Sequence, residues 1–303
     1  MPKIFKVTNK EKGERLDRYL QKKTGLSRKK VKSLLDQGRV YINGRKVVIA
    51  SWAITPETSI EIQETPWERN PAASEHFLKV VYEDPDILVV DKAPGILCEP
   101  SPLATKPTLV EIINAYFKRR SPHLKGHYLG LVHRLDRDTS GLMVYTKKRE
   151  ANRLTQQFRR HTIGRRYLAV VSGAVDKESG KIEGFLKKNP LLKGGQKVQG
   201  STRASGQYAV THWRLLERYP NASLLEINLN TGRTHQIRVH LAEIGHPVLG
   251  DRVYGNSAVP FPRQALHACY LSFHHPMNGE KLEFNSKPPR DMKRLVDHLR
   301  LHV

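Results

Sequence analysis

Apolar positions in the first sixty residues change from a helical spacing to strict alternation. Leu16, Tyr19 and Leu20 stand three and four apart, and Val31, Leu34 and Leu35 repeat that spacing after Gly25. The pattern predicts two short helices over residues 15–35, the second capped by Ser27. Gly38 then stands where helices commonly end in the left-handed conformation. In RVYINGRKVVI, Val40 and Ile42 alternate with Tyr41 and Asn43, and Asn43-Gly44 suits the two-residue turn of a hairpin. SIEIQE, with Ile60 and Ile62 on one side, adds a strand. This unit is complete by residue 64. Residues 65–77, TPWERNPAASEHF, have the composition of a linker.

Residues 78–303 hold a longer series. Two strands flank the Asp84-Pro85-Asp86 turn, a helix covers residues 108–119, and a strand covers residues 141–147. A helix follows over residues 149–160 with Ala151, Leu154 and Phe158 inward. YLAVV, AVTHW and SLLEINL read as strands. HQIRVHLAEIG reads as a helix with Ile237, Leu241 and Ile244 on one side, Thr234 as its cap and Gly245 at its end. Strands and helices do not alternate regularly, and no internal repeat is present. The expected class is therefore α+β, a mixed and mostly antiparallel sheet with flanking helices.

Charge adds what the pattern cannot. Fifty-two lysines and arginines face twenty-nine acids among 303 residues, a net charge of +23. Such self-repulsion is relieved by a polyanion, so nucleic acid is the expected partner. Both parts carry the excess: fifteen basic against seven acidic groups in residues 1–66, and thirty-seven against twenty-two in the rest. Arg28, Lys29, Lys30 and Lys32 crowd the amino end of the second helix, where the dipole does not favour cations, and suit phosphate contact. KKNPLLKGGQKVQGSTRASG, residues 187–206, reads as a basic flexible loop. The longest apolar run, Tyr167 to Val171, is far below the ~20 residues of a membrane span. Two cysteines without metal spacing, and no secretory signal, point to a reducing cytoplasmic setting.

Glycine-rich nucleotide loops, HExxH and GxSxG are all absent, so neither a nucleotide cofactor nor a metal is expected. The densest polar stretch lies between apolar segments. In LVHRLDRDTSGLMVYTK, residues 131–147, two carboxylates stand among two guanidiniums. Two readings are open: a pocket in which arginine keeps a carboxylate ionised, or a surface loop with local Asp caps. LNTGRTHQIRVHLAEIGHPVLGDRVYG has the same character, with His235 and Arg238 sharing a helix face and Asp251 and Tyr254 in a glycine-punctuated loop. Arg238 there is able to counter a carboxylate from elsewhere, and the bland alternative is that both its arginines face solvent.

Together these stretches resemble the RluA-type pseudouridine synthases that carry an amino-terminal S4-type RNA-binding domain, and the resemblance runs through essentially the whole chain. HRLDRDTSGL, RRYLAVVSG, TGRTHQIRVHL and GHPVLGDRVYG occur in the family's order. The resemblance implies Asp136 as the essential carboxylate, Tyr167 as the tyrosine of the site and Arg238 as the arginine paired with the carboxylate. It implies Arg134 as the residue inserted where the uridine leaves, and Arg233 as support. It also implies conversion of uridine to pseudouridine in structured RNA without a cofactor, and favours large-subunit ribosomal RNA over transfer RNA. Lys92-Ala93-Pro94-Gly95, CEPSPLATKPT and SGQYAVT depart from the usual family pattern. A non-catalytic RNA-binding or ribosome-assembly protein is the alternative from another class, and retention of Asp136 within its motif argues against it.

Overall fold

The computed structural model describes residues 3–36, 39–47, 49–62, 78–100, 107–123, 126–189, 197–255 and 261–301. Gly38 and the expected linker, residues 65–77, lie outside the described residues.

The amino-terminal unit contains β1 (Lys3–Lys6), α1 (Leu16–Thr24), α2 (Arg28–Asp36), β2 (Val40–Ile42), β3 (Arg45–Lys46) and β4 (Ser59–Ile62). Gly25 takes φ 69° at the end of α1, as expected of a left-handed cap. The Ser27 hydroxyl accepts the Lys30 N–H at 3.3 Å and so starts α2. Asn43 and Gly44 both have positive φ, which joins β2 to β3 in two residues. The sheet order is β1-β4-β2-β3, antiparallel throughout. Leu16, Tyr19, Leu20, Val31, Leu34, Leu35, Ile60 and Ile62 close one core. The basic residues Arg28, Lys29, Lys30 and Lys32 are all exposed.

The second series runs β5 (Leu78–Glu83), β6 (Ile87–Lys92), α3 (Leu109–Arg120), β7 (Gly130–Leu131), β8 (Ser140–Thr146), α4 (Arg153–Arg160), β9 (Gly164–Ser172) and β10 (Ser179–Asn189). It continues with β11 (Lys197–Ser201), β12 (Gln207–Tyr219), β13 (Ala222–Leu229), α5 (Gln236–Glu243), β14 (Leu266–His274), β15 (Lys281–Asn285) and α6 (Arg290–Leu301). Its sheet has the order β11-β10-β12-β13-β9-β14-β8-β6-β5, with β15 on β14 and β7 on β8. Among the described strands only β14 and β8 pair in parallel, at His267–Ser140 and Ala268–Gly141. The backbones approach so closely there that a Cβ on Gly141, φ 119°, would lie 2.2 Å from the Ala268 carbonyl oxygen. β8 is buried along its length, as a central strand must be. Ile87, Val89, Leu142 and Val144 pack with Leu154 and Phe158 of α4 and with Leu271 and Phe273 of β14.

Two expectations are corrected. Residues 187–206 are not a free loop: β10 and β11 pair antiparallel from Phe185–Ser201 to Asn189–Lys197, and only the tip, residues 190–196, lies outside the described residues. Ile244 is 38% exposed, because α5 ends at Glu243 and Gly245 turns the chain away. Among the described residues no helix is long and apolar enough to cross a membrane.

Candidate active site

The loop between β7 and β8 carries residues 132–139, and neighbouring segments clamp it almost residue by residue. The buried Lys92 ammonium donates to the carbonyls of Ala93, Ile96 and Arg137 at 2.9–3.1 Å. The Gly95 N–H donates to the same Arg137 oxygen. Arg263, itself held by two bonds to Asp291, donates to the Asp138 carbonyl at 3.1 Å. Gln264 donates to the Thr139 hydroxyl, and Ser140 bonds His267. A loop that presents charge is thereby as fixed as a strand. His133 is part of this frame: its Nε2 accepts the Val144 N–H, its ring stacks on Phe158, and burial and the charge of Arg165 push its pKa down to about 3.

Opposite this loop, α5 is pinned by Gln236. Its side-chain oxygen accepts from the Thr231 hydroxyl and the Arg233 N–H, and its amide donates to the Val210 carbonyl and the Thr211 hydroxyl. Gln236 therefore does the anchoring expected of Thr234. The residue before the helix is His235 in the left-handed conformation, φ 55°, rather than a threonine cap. All of Gln236–Leu241 is buried, so α5 has no solvent-facing stripe in its first turns.

Arg238 projects from this buried helix. Its Nε and Nη2 donate to the two oxygens of Asp251 at 2.6 and 2.9 Å, and its Nη1 donates to Asp136 Oδ2 at 2.7 Å. Burial works against the guanidinium charge, but the hydrogen bonds and charges of Asp251 and Asp136 outweigh it and raise the Arg238 pKa. Asp251 has a fully buried side chain. Burial alone would raise its pKa, yet Arg238 and the N–H groups of Val253 and Tyr254 hold it below the usual carboxylate value. The Tyr254 ring lies under the guanidinium, 5.1 Å from its carbon.

Of the residues singled out by sequence, Asp136 and Arg238 meet directly. Tyr167 lies buried on β9, paired with Ile227 of β13 and Ala268 of β14. Burial raises its phenol pKa, Arg165 opposes the rise, and the Asp136 charge adds to it. Arg134 is exposed in the same loop as Asp136. Arg233 does not reach Asp136; its Nε donates to the Tyr208 carbonyl at 3.1 Å. Asp251, Tyr254 and His235 are the members that sequence patterns did not assign to the site. The first two sit in a loop with no fixed spacing to Arg238, so only the GDRVYG context marked them.

Among the described residues, one group has metal-ligand spacing, Asp84, Asp86 and His275. Its carboxylates serve other bonds, and His275 Nε2 stands 3.0 Å from Asp84 Oδ2. Asp84 accepts from Tyr82 and from the N–H groups of Asp86 and Ile87, and Asp86 pairs with Lys148. This is a clamped turn between β5 and β6.

A carboxylate presented on a rigid loop and met by a buried, doubly anchored guanidinium fits an enzyme, and the basic excess makes its substrate a nucleic acid. The chain belongs to the RNA pseudouridylate synthase family: residues 86–243 match that family's model, and residues 14–60 match the S4 domain. A relative in Bacillus subtilis, "Uncharacterized RNA pseudouridine synthase YlyB", is 37% identical over 299 residues, 97% of each chain. "Ribosomal large subunit pseudouridine synthase D" of Vibrio cholerae is 35% identical over 316 residues, 97% of this chain and 94% of that one. A solved human structure, "RNA Pseudouridylate Synthase Domain Containing 4", shares the fold with a TM-score of 0.63 at 22% identity, over 76% of this chain and 97% of that one.

Proposed function

We propose that this enzyme isomerises uridine to pseudouridine in large-subunit ribosomal RNA, with Asp136 as its essential carboxylate. The observation that carries the reading is the 2.7 Å bond from Arg238 Nη1 to Asp136 Oδ2. It leaves the second oxygen of Asp136 available to the ribose of an everted uridine. The reaction detaches uracil from C1′ and rejoins it through C5 within one nucleotide, so it calls for no redox or group-transfer cofactor. Tyr167 lies against the displaced base as a neutral phenol, its pKa raised further by burial. Arg134 fills the stack that the uridine vacates and offsets part of the few kcal/mol that base eversion costs. Arg233 and the α2 residues Arg28, Lys29, Lys30 and Lys32 meet phosphates. The ribosomal assignment rests on relatives named for that substrate. We further propose an RNA-binding domain over residues 1–64, a linker over 65–77, a catalytic domain over 78–303, and a cytoplasmic setting in keeping with two unpaired cysteines.

The test has two arms. Pseudouridines are mapped in RNA from cells with and without the gene, which identifies the RNA. The purified Asp136→Asn variant is then assayed on that RNA. The expected result is loss of turnover with RNA affinity largely retained. Full activity in the variant rejects Asp136 as the essential group.

A further inference from the structure

We infer that His235 reads the ribose 2′-hydroxyl of the target nucleotide, sharing that oxygen with Asp136. The inference rests on the role proposed for Asp136 and adds a specificity residue to it.

His235 is one of four non-glycine residues with positive φ among the described residues. A non-glycine residue in the left-handed region is uncommon, and histidine is among the types that tolerate it best. Here the chain enters α5 at His235, and the imidazole lies beside Asp136. Nε2 lies 3.8 Å from Asp136 Oδ2, and the side chain keeps 17% of its surface open. That separation is too long for a hydrogen bond. It leaves both groups able to reach one oxygen seated beside them.

The other ring nitrogen fixes what Nε2 offers. Nδ1 lies 2.9 Å from the Tyr254 hydroxyl, and that hydroxyl accepts the Val198 N–H at 2.7 Å. We assign the phenol hydrogen to Nδ1, since the oxygen already receives the backbone donor, and this puts the proton of the neutral ring on Nε2. Burial lowers the His235 pKa, reinforced by Arg238 and opposed by Asp136 and Asp251, so the net direction favours the neutral imidazole. Toward the site, then, stand a donor at Nε2 and an acceptor at Asp136. The atom they fit is one that accepts and donates at once. In an internal uridine the uracil N3–H only donates and the two carbonyls only accept; the 2′-hydroxyl does both. It is also the group that separates RNA from DNA.

Total RNA from cells lacking the gene, treated with the purified full chain, identifies a uridine that the enzyme converts. A short RNA containing that uridine is made with ribose and with 2′-deoxyribose at the one position. kcat/KM on both is measured for the wild type, His235→Asn and Tyr254→Phe, with melting temperatures alongside. Asparagine tolerates the left-handed backbone but is too short to place a donor where Nε2 stands. The expected result is an about tenfold slower reaction of His235→Asn on the ribose substrate, and a deoxy penalty about tenfold smaller than in the wild type. Tyr254→Phe, which releases the tautomer, shifts both quantities in the same direction. Equal deoxy penalties in the wild type and His235→Asn overturn the inference even if the variant is slow, because a purely structural loss leaves discrimination unchanged. If His235→Asn does not fold, equal penalties in the wild type and Tyr254→Phe overturn it in the same way. A wild-type chain that converts no uridine at all overturns the proposed function, and this inference with it.

Discussion

Arg238 meets Asp136 through a single nitrogen because Asp251 holds the other two, at 2.6 and 2.9 Å. The direction of the guanidinium is therefore set before any substrate arrives, by a carboxylate with no exposure of its own. Asp251→Asn removes that charge and leaves Arg238 to Asp136 alone. Breaking a buried pair costs about 3–5 kcal/mol, and a misdirected guanidinium costs about 100-fold in rate. The expected variant is folded at a lower melting temperature and about 100-fold slower in a single-turnover assay.

Lys92 makes stability depend on pH in an unusual direction. Burial pushes its ammonium down to about 8, whereas an unfolded lysine titrates near ~10.4. Between those values the unfolded chain holds the proton and the folded chain has released it. Stability contributed through this residue accordingly rises with pH across that window, by about 3 kcal/mol, and is flat below it. Denaturant unfolding of wild type and Lys92→Met at about pH 7.5, 9 and 10.5 checks the sign. A stability difference that stays constant over that range would contradict it.

Gly141 admits no side chain. A Cβ there would stand 2.2 Å from the Ala268 carbonyl oxygen and 2.6 Å from its nitrogen, and neither backbone atom is able to move without separating β8 from β14. Gly141→Ala is expected to cost more than about 3 kcal/mol, from overpacking and from its positive φ. Gly184→Ala on β10, with open space around it, is the control and is expected to change stability by less than about 1 kcal/mol.

The basic face of α2 is expected to act through phosphates alone. Replacing Arg28, Lys29, Lys30 and Lys32 together by glutamine leaves the buried side of the helix, Val31, Leu34 and Leu35, untouched. The melting temperature should stay within roughly 8 °C, since surface changes of this kind lie within ~0.5 kcal/mol each and about 1 kcal/mol shifts a small domain by about 4–8 °C. The slope of log affinity against log salt should shrink by about 0.7–0.9 for each phosphate that is no longer neutralised. Deleting residues 1–64 should weaken RNA binding further and leave a folded remainder, because the core of Ile87, Val144, Phe158 and Phe273 is built wholly from later residues. An unfolded remainder would refute the proposed domain boundary.

Helices and hairpin of the amino-terminal unit were legible because their signals are local: Gly25 at a cap, Asn43-Gly44 at a turn, apolar spacings within one helix. Asp136 and Arg238 were legible through motifs, although they are 102 residues apart. β14 was not named by its pattern. His267 and Ser272 are buried there as polar residues, His267 bonded to Ser140, which breaks the alternation a strand normally shows. The pairing of Asp251 and the anchoring by Gln236 were missed for a related reason. Each owes its position to partners on other elements, Arg238 for one and the β12 backbone for the other, and no periodicity along the chain encodes such a pairing. The left-handed turn at His235 is still less visible, since nothing in its residue type demands it.

The clamps on the Asp136 loop also set an order in time. Arg263, Gln264 and His267 reach back more than a hundred residues to Asp138, Thr139 and Ser140, and Asp291 steadies Arg263 from α6. During translation, a nascent chain released as far as residue 260 has its carboxylate loop but none of these four anchors. Such long-separated contacts form late. Competence therefore waits for the residues beyond 260, and a polypeptide terminated before them keeps the RNA contacts proposed for α2 with its chemistry unassembled.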